Sequence, residues 1–300
     1  MTATKKPVNY LNNKDILKEI HKSKTSYCCF SKNEYHRYDL IIDTPDDPLE
    51  KSLARAAKPA QIKAAKEVRA ARLSQETGEK VDPKSIPKED LIFRVMTWDH
   101  IPMTEKKPRK VVKKKTAQEI LSFDDDDEDT LDDLEPKRSK KKQPEGELVY
   151  AKVNFPPFQH YKFDEDGSLV CVGKSHWRNG VKTGEFCTTH GQLTDKLAKM
   201  YIMLCEKYAM KFNWRGYTYN DEMRGSAILQ LTYVGLRFNE AKSANPFAYY
   251  TAAITNSFCR VLNTEKRSQN IRDDILEMNG LNPSLTRQMS EMSFEDPNDR

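Results

Sequence analysis

The 300-residue chain reads as mainly α, with a long, partly disordered middle stretch that carries a small β element, and three observations predict this. The best-patterned segments repeat their apolar residues every three or four positions, the spacing of a helix with one buried face. Glycine is scarce, at 11 residues, which argues against a sandwich, a barrel or a glycine-looped nucleotide binder. Charged residues make up 32% against 37% hydrophobic, and the mean hydropathy is -0.80, so part of the chain lacks the apolar surface that folding requires. No apolar run approaches the roughly 18 residues that span a bilayer, and the start, MTATKKPVNYLNNKD, has no apolar leader. A soluble, intracellular protein is expected. The six cysteines, including adjacent Cys28 and Cys29, form no regular disulfide framework, so reduced thiols are expected.

Taken in order, Asn9 to His21 predicts a short amphipathic helix with Ile16, Leu17 and Ile20 apolar and Asn13 as its cap. Tyr27 to Ile42 contains a β-leaning run, YDLII, closed by Pro45 and Pro48. Pro59 to Arg72 is rich in Ala, Lys and Arg and predicts a helix with little to bury: a solvated helix, or alternatively a DNA or RNA contact. Lys106 to Lys142 runs KKPRKVVKKK, then FDDDDEDTLDDLEP, then KRSKKK; such like-charge blocks repel and build no core. A linker is expected there, its acidic run either passive or masking a positive DNA channel. A contiguous flexible acidic run is a poor catalytic metal site. Leu148 to Phe186 alternates aromatic and β-branched residues, and Asp166 with Gly167 marks a hairpin.

From Thr189 the pattern is helical. Thr189 and Gln192 have capping-box spacing ahead of a stripe of Leu193, Leu197, Met200, Tyr201, Leu204, Cys205 and Tyr208. After a turn, NWRGYT, a second helix begins near Tyr219 with Asp221 and Glu222 in its first turn and an inner stripe of Met223, Ala227, Leu231, Val234 and Phe238. A third begins at Asn245 as cap with Pro246 at the first helical position. Its inner stripe is Phe247, Tyr250, Ile254, Phe258, Val261 and Leu262. The opposite side carries Tyr249, Ala252, Asn256, Arg260 and Asn263, leading into Lys266 and Arg267. Cations, amides and nearby aromatics suit a phosphate backbone and exposed bases; an ordinary solvated face is the plain alternative.

NYLNNKDIL at Asn9 to Leu17, and the block FNWRGYT, the DEM-initiated helix ending GLRFNE, and NPFAYYTAAITNSFCRVLNTEKR, resemble the sigma-like late transcription factors of T-even type bacteriophages. The resemblance covers about a third of the chain and is to a divergent sigma region 2. It implies segments 1–24 and 188–268 as one sigma region 2-like helical domain. Between them lie an insert with a basic helix (25–105), a charged disordered linker (106–147) and a small β element (148–187), and 269–300 is a C-terminal tail.

What the resemblance implies for function is specific. The second helix, Asp221 to Phe238, would dock on the clamp region of the host RNA polymerase core through exposed Glu222, Arg224, Gln230, Tyr233 and Arg237. The third would face a minus-ten-like element of promoter DNA with Tyr249, Tyr250, Asn256, Arg260, Lys266 and Arg267. Tyr250 also falls on the inner stripe, so a core role stands beside the DNA role. Primary sigma factors carry a Trp pair where Ala253 and Ile254 stand here, so opening would depend more on the tyrosines or on accessory proteins. About 35 residues follow Lys266, too few for a minus-thirty-five reader. In the family a short acidic and hydrophobic tail engages a sliding clamp; here Met289, Met292 and Phe294 are its candidates, with a phage coactivator as a further partner, and a frayed terminus is the plain alternative.

Cys171, His176, Cys187 and His190 are weak candidates for zinc, since Cys187 and His190 have ligand-like spacing but no C-x-x-C accompanies them. No nucleophile and base constellation stands out, so no enzyme and no cofactor are expected. The reading is a noncatalytic initiation factor in the cytoplasm of an infected bacterial host, without a membrane partner. The rival is an RNA-binding or structural phage protein; a metal-dependent nuclease rests only on scattered Asp and His.

Overall fold

The computed structural model describes residues 11–105 and 148–294. The charged segment expected as a linker, 106–147, lies between them, outside the described residues. About half of the described chain is helical, in seven α-helices, and the chain divides into two compact units. A sheet unit takes residues 13–105, 148–197 and 236–244, and a helical unit takes 11–12, 198–235 and 245–294.

In the sheet unit, α1 (Asn13–Thr25) buries Ile16 and Ile20, at the spacing the sequence indicated, but begins four residues later than expected. The sheet has five strands in the order β1 (Cys28–Phe30), β7 (Leu169–Ser175), β6 (Phe158–Phe163), β3 (Ile92–Met96), β2 (Leu40–Ile42). It is a small sheet, but it draws on both sides of the charged segment, where the β element was expected within 148–187. All neighbours are antiparallel except β2 and β3, where Leu40 lies opposite Phe93 in parallel register. A parallel pair needs a crossover. Here α2 (Leu49–Ala56) and α3 (Pro59–Thr77) supply it.

The helix expected to have little to bury, α3, fully buries two of its 19 residues and leaves much of its other side exposed. Ala65 and Ala70 are buried with Ala56 against Phe93, Val95, Tyr161 and Phe163, because small side chains let a helix approach the sheet closely. Arg69 and Arg72 are engaged as well, reaching the buried carboxylate of Asp39 at 3.3 and 3.1 Å. The hairpin between β6 and β7 turns where Asp166 and Gly167 placed it, with Gly167 at φ +77° and Asp164 N donating to Ser168 O at 2.8 Å. Two short antiparallel pairs complete the unit: β4 (Met103–Glu105) with β5 (Leu148–Tyr150), and β8 (Trp177–Arg178) with β9 (Glu185–Phe186).

Polar groups fill the other side of the sheet. The Arg94 guanidinium on β3 lies 3.9 Å from the Tyr38 ring centre and 3.8 Å from that of Phe158, and its Nε donates to His160 Nε2 at 3.0 Å. His160 Nδ1 in turn donates to Tyr35 O, which fixes the neutral tautomer. Burial and the neighbouring Arg94 charge hold this imidazole well below its ordinary range. The 236–244 segment, which joins the second and third expected helices, is held in this unit by Lys24. Its ammonium donates to Phe238 O at 2.7 Å and to Glu240 at 2.8 Å. Burial pushes the Glu240 carboxyl up, but Lys24, Arg94 and His21 outweigh it and leave it below its usual value.

In the helical unit α4 (Asp195–Ala209), taken up from Ala198, buries Met200, Tyr201, Leu204 and Cys205. The expected start at Thr189 is corrected to Asp195. Residues before it are held in extended form by Gln192 N donating to Ser26 Oγ and Thr194 N to Ser23 Oγ, so Thr194, whose Oγ1 accepts from Leu197 N, takes the capping place. The second helix, α5 (Asn220–Val234), stops short of the expected Phe238 and gives way to a 3-10 turn at Gly235–Arg237. A Cβ at Gly235 would collide with the Tyr201 phenol, so only glycine fits there. The third, α6, starts as expected: Asn245 Oδ1 accepts from Ala248 N at 3.1 Å and Pro246 follows. It runs on to Met278, 33 residues, well past the expected domain limit at 268. After Gly280, at φ +70°, Asp273 accepts from Ser284 N at 2.9 Å and leads into α7 (Leu285–Phe294). The stretch 269–294 is thus built largely of helix.

Candidate functional site

Helices α5 and α6 pack as an antiparallel pair. Ser226 Oγ meets Ser257 Oγ at 3.1 Å near one end, and Tyr249 Oη donates to Val234 O at 3.0 Å near the other. Met223, Ala227 and Leu231 of α5 and Tyr250, Ile254, Phe258 and Val261 of α6 are buried. Leu229 and Tyr233 point outward, 62% and 55% exposed. With Glu222 they fall at i, i+7 and i+11, one stripe on the outer face of a helix turning about 100° per residue.

Two candidate residues are corrected here. Gln230 was expected on the outer face of α5 but is 5% exposed, because it lies seven residues after Met223 and shares its buried arc. Leu229 takes the outward place beside it. Tyr250, expected to contact DNA, is fully buried: its hydroxyl donates to Gly235 O at 3.1 Å and meets Tyr201 Oη at 3.2 Å. Burial pushes the Tyr201 phenol far up, so its hydroxyl stays protonated. Tyr250 belongs to the core, as its place on the inner stripe suggested. Phe247, expected inside, is exposed instead.

Of the other candidates, Glu222 is exposed, and Arg224 is half-buried with its guanidinium 3.0 Å from Asp221. Arg237 is exposed but not on α5 as expected: it ends the 3-10 turn that follows the helix and belongs to the sheet unit. On α6, Tyr249, Asn256, Arg260, Asn263 and Arg267 fall within about 60° of arc, opposite the buried stripe. Asn256, Asn263 and Arg267 are exposed, Tyr249 and Arg260 half-buried, and exposed Lys266 stands to one side. The Tyr249 hydroxyl is committed to Val234 O, so its ring rather than its hydroxyl is what it offers. Chemically the face presents an aromatic edge, amides and cations along one line, suited to phosphate and base contacts.

Met289 of α7 is exposed, while the side chains of Met292 and Phe294 lie outside the described residues. The zinc candidates do not assemble: among the described residues no group of three or more His, Cys, Asp or Glu forms a metal-holding cluster. His176 is buried, with Nε2 accepting from Asn154 N at 3.3 Å, and Cys171 lies beside Gly173 O. The sheet unit has a cleft of about 430 Å³ beside α3, but its arginines are already paired, Arg37 with Glu76 and Arg69 and Arg72 with Asp39.

No family model, curated protein or solved structure matches this chain. Among the described residues no helix is long and apolar enough to cross a membrane. The residue that sequence reasoning missed at this site is Leu229. Its signal was present, a leucine seven residues after Glu222 and off the inner stripe, but a hydrophobic side chain is read as core by default.

Proposed function

We propose that the chain is a noncatalytic transcription initiation factor of the sigma-like class. It binds host RNA polymerase core at the clamp region through the outer face of α5 and turns α6 toward a minus-ten-like element of late promoters, in the cytoplasm of an infected bacterial host. The observation that carries this reading is the α5–α6 pair itself. Glu222, Leu229 and Tyr233 form an outward stripe on one helix, and Tyr249, Asn256, Arg260, Asn263 and Arg267 form a polar and cationic arc on the other. A docking helix needs an exposed apolar anchor ringed by polar groups, which Leu229 and Tyr233 supply. A strand-capturing helix needs cations for phosphate and a ring for stacking.

The structure changes how opening would work under this reading. Ile254 is buried and Ala253 is small, so no wedge stands where primary sigma factors carry their Trp pair. With Tyr250 in the core, Tyr249 is the stacking ring left within the polar arc of α6, and opening relies on it together with partners such as a coactivator or a sliding clamp. The test is capture of purified core polymerase by the full chain, followed by transcription from late-promoter DNA. Failure to capture core under low salt removes the reading.

A further inference from the structure

The turn between α4 and α5 is unlike the rest of the helical unit's surface. From Lys207 to Asn220 the sequence is KYAMKFNWRGYTYN, which holds five aromatic residues and three cations and no carboxylate. Phe212 is 81% exposed, and Met210 is also bare. The Arg215 guanidinium lies 5.2 Å from the Phe212 ring centre, and the Lys211 ammonium 4.1 Å from that of Tyr208. Among the described residues neither cation pairs with a carboxylate.

The turn is nevertheless rigid. Asn220 Nδ2 donates to Ala209 O at 3.2 Å and to Trp214 O at 2.8 Å, bracing both ends. Trp214 packs edge-on against Phe258 of α6 at 5.3 Å between ring centres, and Tyr208 Oη meets Thr255 Oγ1 at 2.6 Å. The half-buried Tyr208 and Trp214, seated on α6, thus act as a pedestal that holds Phe212, Lys211 and Arg215 out into solvent. An exposed ring held by a stiff backbone loses little entropy on stacking, and flanking cations meet the phosphates on either side of a base.

We infer that the 207–219 turn is a binding surface for single-stranded nucleic acid, with Phe212 as the stacking platform and Lys211 and Arg215 as phosphate contacts. It is sequence-tolerant, because every base has a face to stack and the turn offers few groups to read base edges. The inference concerns the free chain and does not require the polymerase reading, nor α6 to face DNA.

The test is fluorescence anisotropy of a labelled oligo-dT strand titrated with the full chain across a salt series. Phe212→Ala should weaken binding about tenfold and Phe212→Tyr should restore it, with circular dichroism unchanged because the ring is exposed. Lys211→Ala with Arg215→Ala should lower the slope of log affinity against log salt by roughly 0.7 for each cation removed. Loss of binding in an Arg260→Ala, Arg267→Ala variant while Phe212→Ala binds normally would place the surface on α6 and overturn the assignment. No binding of the parent chain at low salt, or binding to anionic vesicles but not to dT, would overturn it too. So would a Phe212→Ala variant that loses core polymerase but keeps dT.

Discussion

Leu229 gives the sharpest test of the α5 surface. It is 62% exposed, so truncation removes little from the fold. Fully burying a leucine contributes about 1.5 to 3 kcal/mol, and a partner covering the exposed fraction of this one would gain roughly 1 to 2 kcal/mol. Leu229→Ala should therefore weaken core polymerase binding by about 5- to 30-fold. Leu231, two residues on and fully buried, is the contrast. Leu231→Ala should cost about 2 to 5 kcal/mol of folding stability and act on binding only through unfolding. The assay is titration of labelled protein with purified core, with urea melts of each variant alongside. If Leu229→Ala binds within twofold of the parent while remaining folded, the outer face of α5 is not the docking surface.

Four other expectations follow, three of them from buried groups. Tyr250→Phe removes the hydroxyl bonded to Gly235 O and Tyr201, so it should cost about 1 kcal/mol in a denaturant melt and leave promoter opening intact. By contrast Tyr249→Ala should abolish opening scored by permanganate reactivity of thymines while core binding persists; the reverse pattern would exchange the two roles. Glu240→Ala leaves the Lys24 ammonium buried without its carboxylate and should cost about 3 to 5 kcal/mol, and pairing it with Lys24→Met should recover much of that. A double variant no more stable than the single one would refute the ion-pair account. Burial holds the imidazoles of His21 and His100 down at about 4 and that of His176 at about 3, against an ordinary 6.5. The unfolded chain then binds more protons between about pH 4 and 6.5, so stability rises with pH through that window and is lost as pH falls. A urea midpoint as high at pH 5 as at pH 7.5 would contradict this.

Where a local signal decided the structure, the sequence was legible. Asn245 and Pro246 cap α6, Asp166 and Gly167 turn the hairpin, and the inner stripes of α4 and α5 are buried largely as their spacing required. Legibility failed where long-range packing decided. All five residues of β3 are buried, so Ile92–Met96 shows no two-residue alternation, and its Arg94 disguises a central strand. The alanines of α3 read as helix propensity when they are the contact with the sheet. The far half of α6 exposes Ile271, Ile275 and Met278, so its apolar pattern fades although the helix continues. At the candidate site the two misplaced side chains, Gln230 and Tyr250, have the spacing of buried positions, but their polar atoms read as surface, since the groups that meet the Tyr250 hydroxyl, Tyr201 Oη and Gly235 O, are remote in sequence.

The most direct measurement of the central claim is a transcription start assay with purified core polymerase, the full chain, and duplex DNA from the late region of a phage genome. The account predicts RNA with a single defined 5′ end that appears only when the chain is present and disappears with the Tyr249→Ala variant. RNA ends that are the same with and without the chain, or no stable complex with core at all, would contradict it.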